Sequence, residues 1–169
     1  MPDVSAQIVA CIPSLRRYAR GLTGNRESAD DLVQDTLERA WTRIAFWERR
    51  GELRAWLFSI LHNVFIDRVR SARSSPLEEM PEEETIAPAR ATQTDMLEVR
   101  DLDLALLKLP PEQREVLLLV AVEQMNYEHV ARVLDVPAGT VMSRLSRARE
   151  RLRAVLEGRA PAFKLKAVN

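Results

Sequence analysis

The chain has 169 residues, a single cysteine, and 25 basic against 25 acidic side chains. That length admits one medium domain or two small ones. The lone Cys11 excludes an intramolecular disulfide and a cysteine-built metal site, and zero net charge argues against a uniformly basic nucleic-acid binder.

The charge is unevenly spread. Residues 1–75 hold 12 basic and 9 acidic side chains, residues 76–109 hold 3 and 9, and residues 110–169 hold 10 and 7. Two basic ends flank an acidic middle, a pattern that points to different partners along the chain. No stretch reaches the roughly 18 uncharged apolar residues of a membrane span. The N-terminus lacks the basic-then-apolar pattern of a signal peptide. A soluble, cytoplasmic protein without membrane insertion is expected.

Apolar periodicity near 3.6 dominates and strand alternation is nearly absent, so the expected fold class is all-α. A first helix is predicted over about 5–22, with Ile8, Ile12, Leu15 and Ala19 facing inward and Gly21 and Gly24 marking its end. Asn25 or Ser28 then caps a second helix. Its apolar stripe is Ala29, Leu32, Val33, Thr36, Leu37, Ala40, Trp41 and Ile44. Its other face carries Asp31, Gln34, Asp35, Glu38 and Arg39. After a loop from Trp47 to Gly51, a third helix is predicted over about 53–72. Trp56, Leu57, Ile60, Leu61, Val64 and Phe65 form its buried stripe.

Residues 74–93 are rich in Pro, Ser and Glu and lack periodicity, which reads as an extended acidic linker. If extended, it spans at most roughly 66–72 Å. A helix through Met96, Val99, Leu102, Leu106 and Leu109 is expected next. Pro111 suits the first turn of its successor, which runs to about Val122. Asn126 caps a short helix over 127–134, and the turn Asp135-Val136-Pro137 leads into a last helix to about Leu156. Two short helices joined by a tight turn form a helix-turn-helix layout. The expected organisation is therefore two small helical domains, 1–73 and 94–157, joined by the flexible acidic linker 74–93 and followed by a tail, 158–169.

The last helix has Val141, Leu145, Ala148, Leu152 and Val155 on one face. Around the rest lie Met142, Ser143, Arg144, Ser146, Arg147, Arg149, Arg151 and Arg153. Such a helix fits the major groove, where arginine binds guanine or grips phosphate. An arginine-rich face alone reads first as a solvated surface; the short helix and turn before it favour nucleic acid. In the third helix, Asn63, Asp67, Arg70 and Arg73 lie opposite the apolar stripe. Near its entrance are Trp47, Trp56, Arg49 and Arg50. Aromatic pockets beside a positive track suit single-stranded nucleic acid, although core tryptophans and solvated charges would look the same. The acidic face of the second helix repels DNA and suits a basic protein surface or plain solvent.

Taken together, the segments 30–41, 55–63, 109–119 and 139–152 closely resemble extracytoplasmic-function sigma factors of the sigma-70 family. The resemblance covers nearly everything except the linker and tail. It implies a sigma-2 helical bundle and a sigma-4 helix-turn-helix, with core RNA polymerase and promoter DNA as partners. By the same resemblance, Asp31, Gln34, Asp35, Glu38 and Arg39 dock on polymerase. Arg49, Arg50, Trp56, Asn63, Asp67, Arg70 and Arg73 receive the unstacked −10 element. Thr140, Met142, Ser143, Arg144, Ser146, Arg147 and Arg149 read the −35 element, with Met142, Ser143, Ser146 and Arg147 at the family's base-contact positions. Some relatives carry arginine in place of Met142 and an aromatic in place of Ser146.

The text also resembles the branch governing alphaproteobacterial general stress responses, which a small anti-sigma factor restrains until a response-regulator decoy releases it. No nucleophile–base constellation is evident: His62 and His129 fall on separate domains, and no Gly-rich phosphate loop occurs. An enzymatic role, a cofactor, a metal and a small-molecule substrate are not expected. Two rival readings are a stand-alone helix-turn-helix regulator and a sigma-like decoy that binds an anti-sigma factor.

Overall fold

The computed structural model describes residues 3–47, 51–74 and 93–158. Those residues are almost entirely helical and contain no strand. The linker residues 75–92, the tail from 159, Arg49, Arg50 and the side chains of Met96 and Val99 lie outside the described set.

Helix α1 spans Val4–Thr23. Asp3 caps it by accepting from the Ser5 amide at 3.1 Å, satisfying one of the donors that a helix start leaves open. It ends at Gly24, whose φ of 69° is the left-handed conformation a glycine adopts without strain, with its amide returned to the Arg20 carbonyl. Asn25 then caps α2, Arg26–Arg43, by accepting from the Ser28 amide. Helix α3 spans Leu53–Ser74. Leu15, Tyr18, Ala19 and Leu22 of α1 pack with Leu32 and Ala40 of α2 and with Leu57, Phe58, Leu61 and Val64 of α3. Burying each large apolar side chain contributes about 1.5–3 kcal/mol.

The remaining helices are α4 (Gln93–Leu107), α5 (Pro111–Leu117), α6 (Tyr127–Leu134) and α7 (Ala138–Leu156). Pro111 occupies the first turn of α5, where its missing amide costs nothing. The expected continuation to Val122 is present but widened: Leu118–Val122 is a π-helical turn, closed by the Glu123 amide on the Leu118 carbonyl at 3.0 Å. Asn126 caps α6 through the His129 amide at 2.8 Å. Asp135, at φ 53°, turns the chain into α7.

Several expectations need correction. Trp41 is not in the buried stripe of α2 but 61% exposed, because α2 buries through Leu32, Val33, Thr36 and Ala40 and rotates Trp41 outward. Ile12 and Trp56 are only half-buried, and Leu102 is exposed because α4 packs through Ala105 and Leu106 instead. Leu109 is buried, but in the turn after α4. The sequence left the relation of the two units open. The hydrophobic residues of α1–α3 and of α4–α7 form one continuous core, so the two expected domains are closed on each other.

Candidate nucleic-acid interface

Helices α6 and α7 make the expected helix-turn-helix. Val130, Val133 and Leu134 of α6 face Val141, Leu145 and Ala148 of α7 in the core. That buried stripe fixes the roll of α7 and turns Met142, Ser143, Ser146, Arg147 and Arg149 to the outside. Thr140 is half-buried, and its carbonyl accepts from the Ser143 hydroxyl at 3.1 Å. Arg144 is placed differently from its neighbours. It is half-buried and lies close enough to Glu115 to favour that carboxylate's charged form, so its charge is shared with the interior. Beside the exposed face, Tyr127, Met142, Ser146, Arg149 and Arg153 line an open groove of about 410 Å³.

The second predicted cluster is assembled in part. Trp47 and Trp56 stand 6.1 Å apart between ring centroids. With Phe46, Gly51, Glu52 and Ser59 they line a second cavity of about 320 Å³. Phe46 is 82% exposed. Arg132 of α6 also lines this cavity, and His129 of α6 pairs with Glu52 at 3.3 Å. Asn63, Arg70 and Arg73 are exposed along α3. Arg49 and Arg50 lie outside the described residues.

On α2, Asp31, Gln34 and Glu38 are exposed, and the Gln34 amide donates to Glu38 at 3.4 Å. Asp35 and Arg39 are turned toward α3. Arg68 donates to Asp35, and Arg39 pairs with Asp67 at 3.6 Å. The face assigned to a protein partner and the face assigned to DNA thus exchange charge across the α2/α3 seam.

Sequence reasoning missed a buried polar cluster where α1 and α3 meet the C-terminal helices. Arg114 is buried and donates to the carbonyls of Leu22 (2.6 Å), Leu106 (2.9 Å), Leu107 (3.1 Å) and Leu109 (2.9 Å). It therefore covers the C-terminal ends of α1 and α4 together. Glu115 is 1% exposed. Its carboxylate accepts from the Tyr18 hydroxyl at 3.3 Å and meets His62 Nδ1 at 2.6 Å. Burial pushes its pKa up, while contact with His62 and Tyr18 and the charge of Arg144 pull it down. Burial, reinforced by Glu115, also holds the Tyr18 hydroxyl well above its ordinary range. The side chain of Glu123 is fully buried. It accepts both arms of the Arg17 guanidinium at 2.9 Å and Arg54 at 2.8 Å. The available signal was two glutamates bracketing the apolar run 116–122, a position where a charge is costly unless it is paired.

No helix among the described residues is long and apolar enough to cross a membrane, and they hold no cluster of three or more metal-ligating side chains.

Residues 8–62 match the model for the Sigma2 domain of PhyR, and residues 100–152 match sigma-70 region 4. The chain is 40% identical over 149 residues to the ECF RNA polymerase sigma factor EcfG of Rhodopseudomonas palustris, covering 88% of this chain and 82% of that one. It is 36% identical over 150 residues to the ECF sigma factor SigL of Mycobacterium tuberculosis, covering 85% of this chain and 82% of the relative. The sigma factor RpoE of Bartonella quintana, solved in complex with the anti-sigma factor NepR, superposes with a TM-score of 0.80 at 34% identity. That match covers 93% of this chain and 98% of the other. CnrH, solved with the cytosolic domain of CnrY, gives a TM-score of 0.69 at 28% identity over 92% of this chain and 88% of its own. With sigma-2 and sigma-4 helices in the expected order and relatives matched over most of their length, the chain belongs to the extracytoplasmic-function family of RNA polymerase sigma factors.

Proposed function

We propose that this sigma factor directs core RNA polymerase to stress-response promoters by holding the DNA at two places. The domain 94–157 reads the −35 element with α7. The domain 1–73 receives the unstacked −10 element on α3 and in the Trp47–Trp56 cavity, and the acidic linker 74–93 spans between them. The observation that carries this reading is the roll of α7. Its apolar stripe is buried while Met142, Ser143, Ser146, Arg147 and Arg149 are exposed together, the presentation a major-groove helix requires. Asn63, Arg70 and Arg73, exposed along α3, supply base-edge and backbone contacts to the melted strand. Asp31, Gln34 and Glu38 offer polymerase an acidic face, and the exposed Trp41, three residues beyond Glu38, adds an apolar anchor to it.

The RpoE–NepR complex supports an anti-sigma factor as a further partner of this chain. Promoter-selective transcription with core enzyme, followed by mapping of start sites, tests the reading. Arg147→Ala should cost about 1–3 kcal/mol and relax preference at one −35 position if Arg147 reads a base. Loss of binding spread evenly over all sequences would assign it to phosphate.

A second reading, a sigma-like decoy for an anti-sigma factor, draws on the match of residues 8–62 to the Sigma2 domain of PhyR; the PhyR of Bartonella quintana, solved in complex with NepR, is an anti-anti-sigma factor. A decoy has no use for a DNA-facing row of arginines on α7, and it gives no promoter-specific transcript.

A further inference from the structure

Four features of the seam between α1–α3 and α4–α7 stand out. First, two buried carboxylates of the C-terminal half are held by polar side chains of α1 and α3. Both Glu123 oxygens and its backbone carbonyl are occupied by Arg17 and Arg54, and Glu115 is held by Tyr18 and His62. Second, Glu123 is aimed into that socket by the π-helical turn Leu118–Val122 and followed by Gln124 at φ 55°, an uncommon conformation for a residue with a Cβ. Third, Gly21 lies inside α1, where glycine weakens a helix. A Cβ there would meet Leu118 Cδ1 at 2.7 Å, so the glycine's use is the close approach of the opposing unit. Fourth, α6 stands at the mouth of the Trp47–Trp56 cavity, with Arg132 in its lining and His129 on Glu52.

A permanently fused core would be at least as stable with apolar side chains at these positions, because desolvating an ion pair offsets most of its attraction. Ionic contacts have a different merit. When the seam opens, the buried Glu123 and the largely covered Arg54 regain water, whereas newly exposed apolar surface gains nothing. A seam built this way can close specifically and still part.

We propose that the chain latches itself shut without an inhibitor: Glu115 and Glu123 plug into the socket formed by Arg17, Tyr18, Arg54 and His62, and the closed form sets α6 over the −10 cavity, leaving it inactive until the latch is released. The inhibition rests on the promoter-binding reading above; the latch itself does not. The face of α7 and the outer side of α3 with Asn63, Arg70 and Arg73 stay exposed in the closed form, so closure acts on the −10 side at the Trp47–Trp56 cavity alone and leaves the −35 side free.

Two measurements on the full chain test this. Small-angle scattering of the free protein reads closure directly. Glu123→Gln keeps the shape of the side chain but removes its charge. Gly21→Ala improves helix propensity in α1 while meeting Leu118 across the seam. Both variants should keep the helical circular dichroism of the parent and show a larger radius of gyration. A wild-type radius in both, with helicity retained, overturns the latch.

For the inhibition, Leu118 is the side chain that packs directly on Gly21 across the seam, the place for a cysteine pair that bridges it. Gly21→Cys with Leu118→Cys, in a Cys11→Ser background, should therefore oxidise to a closed form. On a promoter mapped with the wild-type protein, the oxidised form should lose transcription at least tenfold and recover it with dithiothreitol. Equal activity of the oxidised and reduced forms overturns the inhibitory role. A wild-type protein that closes in scattering yet yields no specific transcript refutes the promoter-binding reading and leaves the latch standing.

Discussion

Replacing Arg114 with methionine keeps most of the side-chain stem and deletes the guanidinium that covers four carbonyls. The Leu106 carbonyl retains the Leu109 amide at 3.1 Å. The buried contacts to the Leu22 and Leu109 carbonyls, at 2.6 and 2.9 Å, lose their charged donor. Each buried acceptor left without a donor costs about 1–3 kcal/mol. The loss should therefore be about 2–5 kcal/mol, a large share of the roughly 5–15 kcal/mol that holds a domain together. Burial lowers the pKa of Arg114, so part of its gain is already spent on desolvation, which keeps the figure from the top of the range. Arg114→Lys supplies one ammonium in place of a planar fork and should recover about half of the loss. Urea unfolding followed by circular dichroism measures both variants, as a lower midpoint at unchanged slope. A loss under about 1 kcal/mol for Arg114→Met would refute the idea that this one side chain closes two helix ends.

Other outcomes follow from single features. Asn126→Ala removes the N-terminal cap of α6 and should cost about 1 kcal/mol in the same unfolding assay. Gly24→Ala forces a Cβ into the left-handed region and to within 2.5 Å of Leu107 Cδ1. It should destabilise by about 1–3 kcal/mol, and thermal melts detect it. Trp41→Ala should leave stability within about 0.5 kcal/mol yet weaken association with core polymerase in a fluorescence titration. The fourth concerns pH. Burial raises the Glu115 pKa above its ordinary value, so the folded chain binds that proton more tightly than the unfolded chain. Relative to Glu115→Gln, wild-type stability should rise as pH falls through the raised pKa and level off below the unfolded value of about 4.3. Urea titrations between pH 4 and 8 check the sign, and a wild-type advantage that grows toward neutral pH contradicts it.

The helices and most of their ends were legible because local chemistry writes them. Asn25, Asn126 and Pro111 are capping and first-turn residues whose roles do not depend on distant partners. The outward face of α7 was legible for a similar reason, since its buried stripe is regular enough to fix the roll. The failures share a cause. Trp41 satisfies the period of α2 but lies at the edge of its buried arc, and only the position of α1 and α3 decides which side of that edge is covered. Arg114, Glu115 and Glu123 were not singled out because their partners, Leu22, Tyr18, His62, Arg17 and Arg54, lie some 50 to 110 positions away. Periodicity describes one helix at a time and carries no information about such pairs. Nor does it distinguish two tethered units from two units closed on each other, which depends on the complementarity of surfaces.

The crossed pairs Arg68–Asp35 and Arg39–Asp67 tie α2 to α3 by their outward side chains. A protein seated on α2 and a nucleic acid lying along α3 would then compete for the same four groups. Polymerase that recruits Arg39 frees Asp67 to repel phosphate or to accept from a base, and DNA that draws Arg68 away leaves Asp35 bare for a cation on the polymerase. Affinity for one should therefore vary with occupancy by the other, with no movement of the backbone required. Alanine scans of either face in isolation would assign to a single contact what is a property of the quartet.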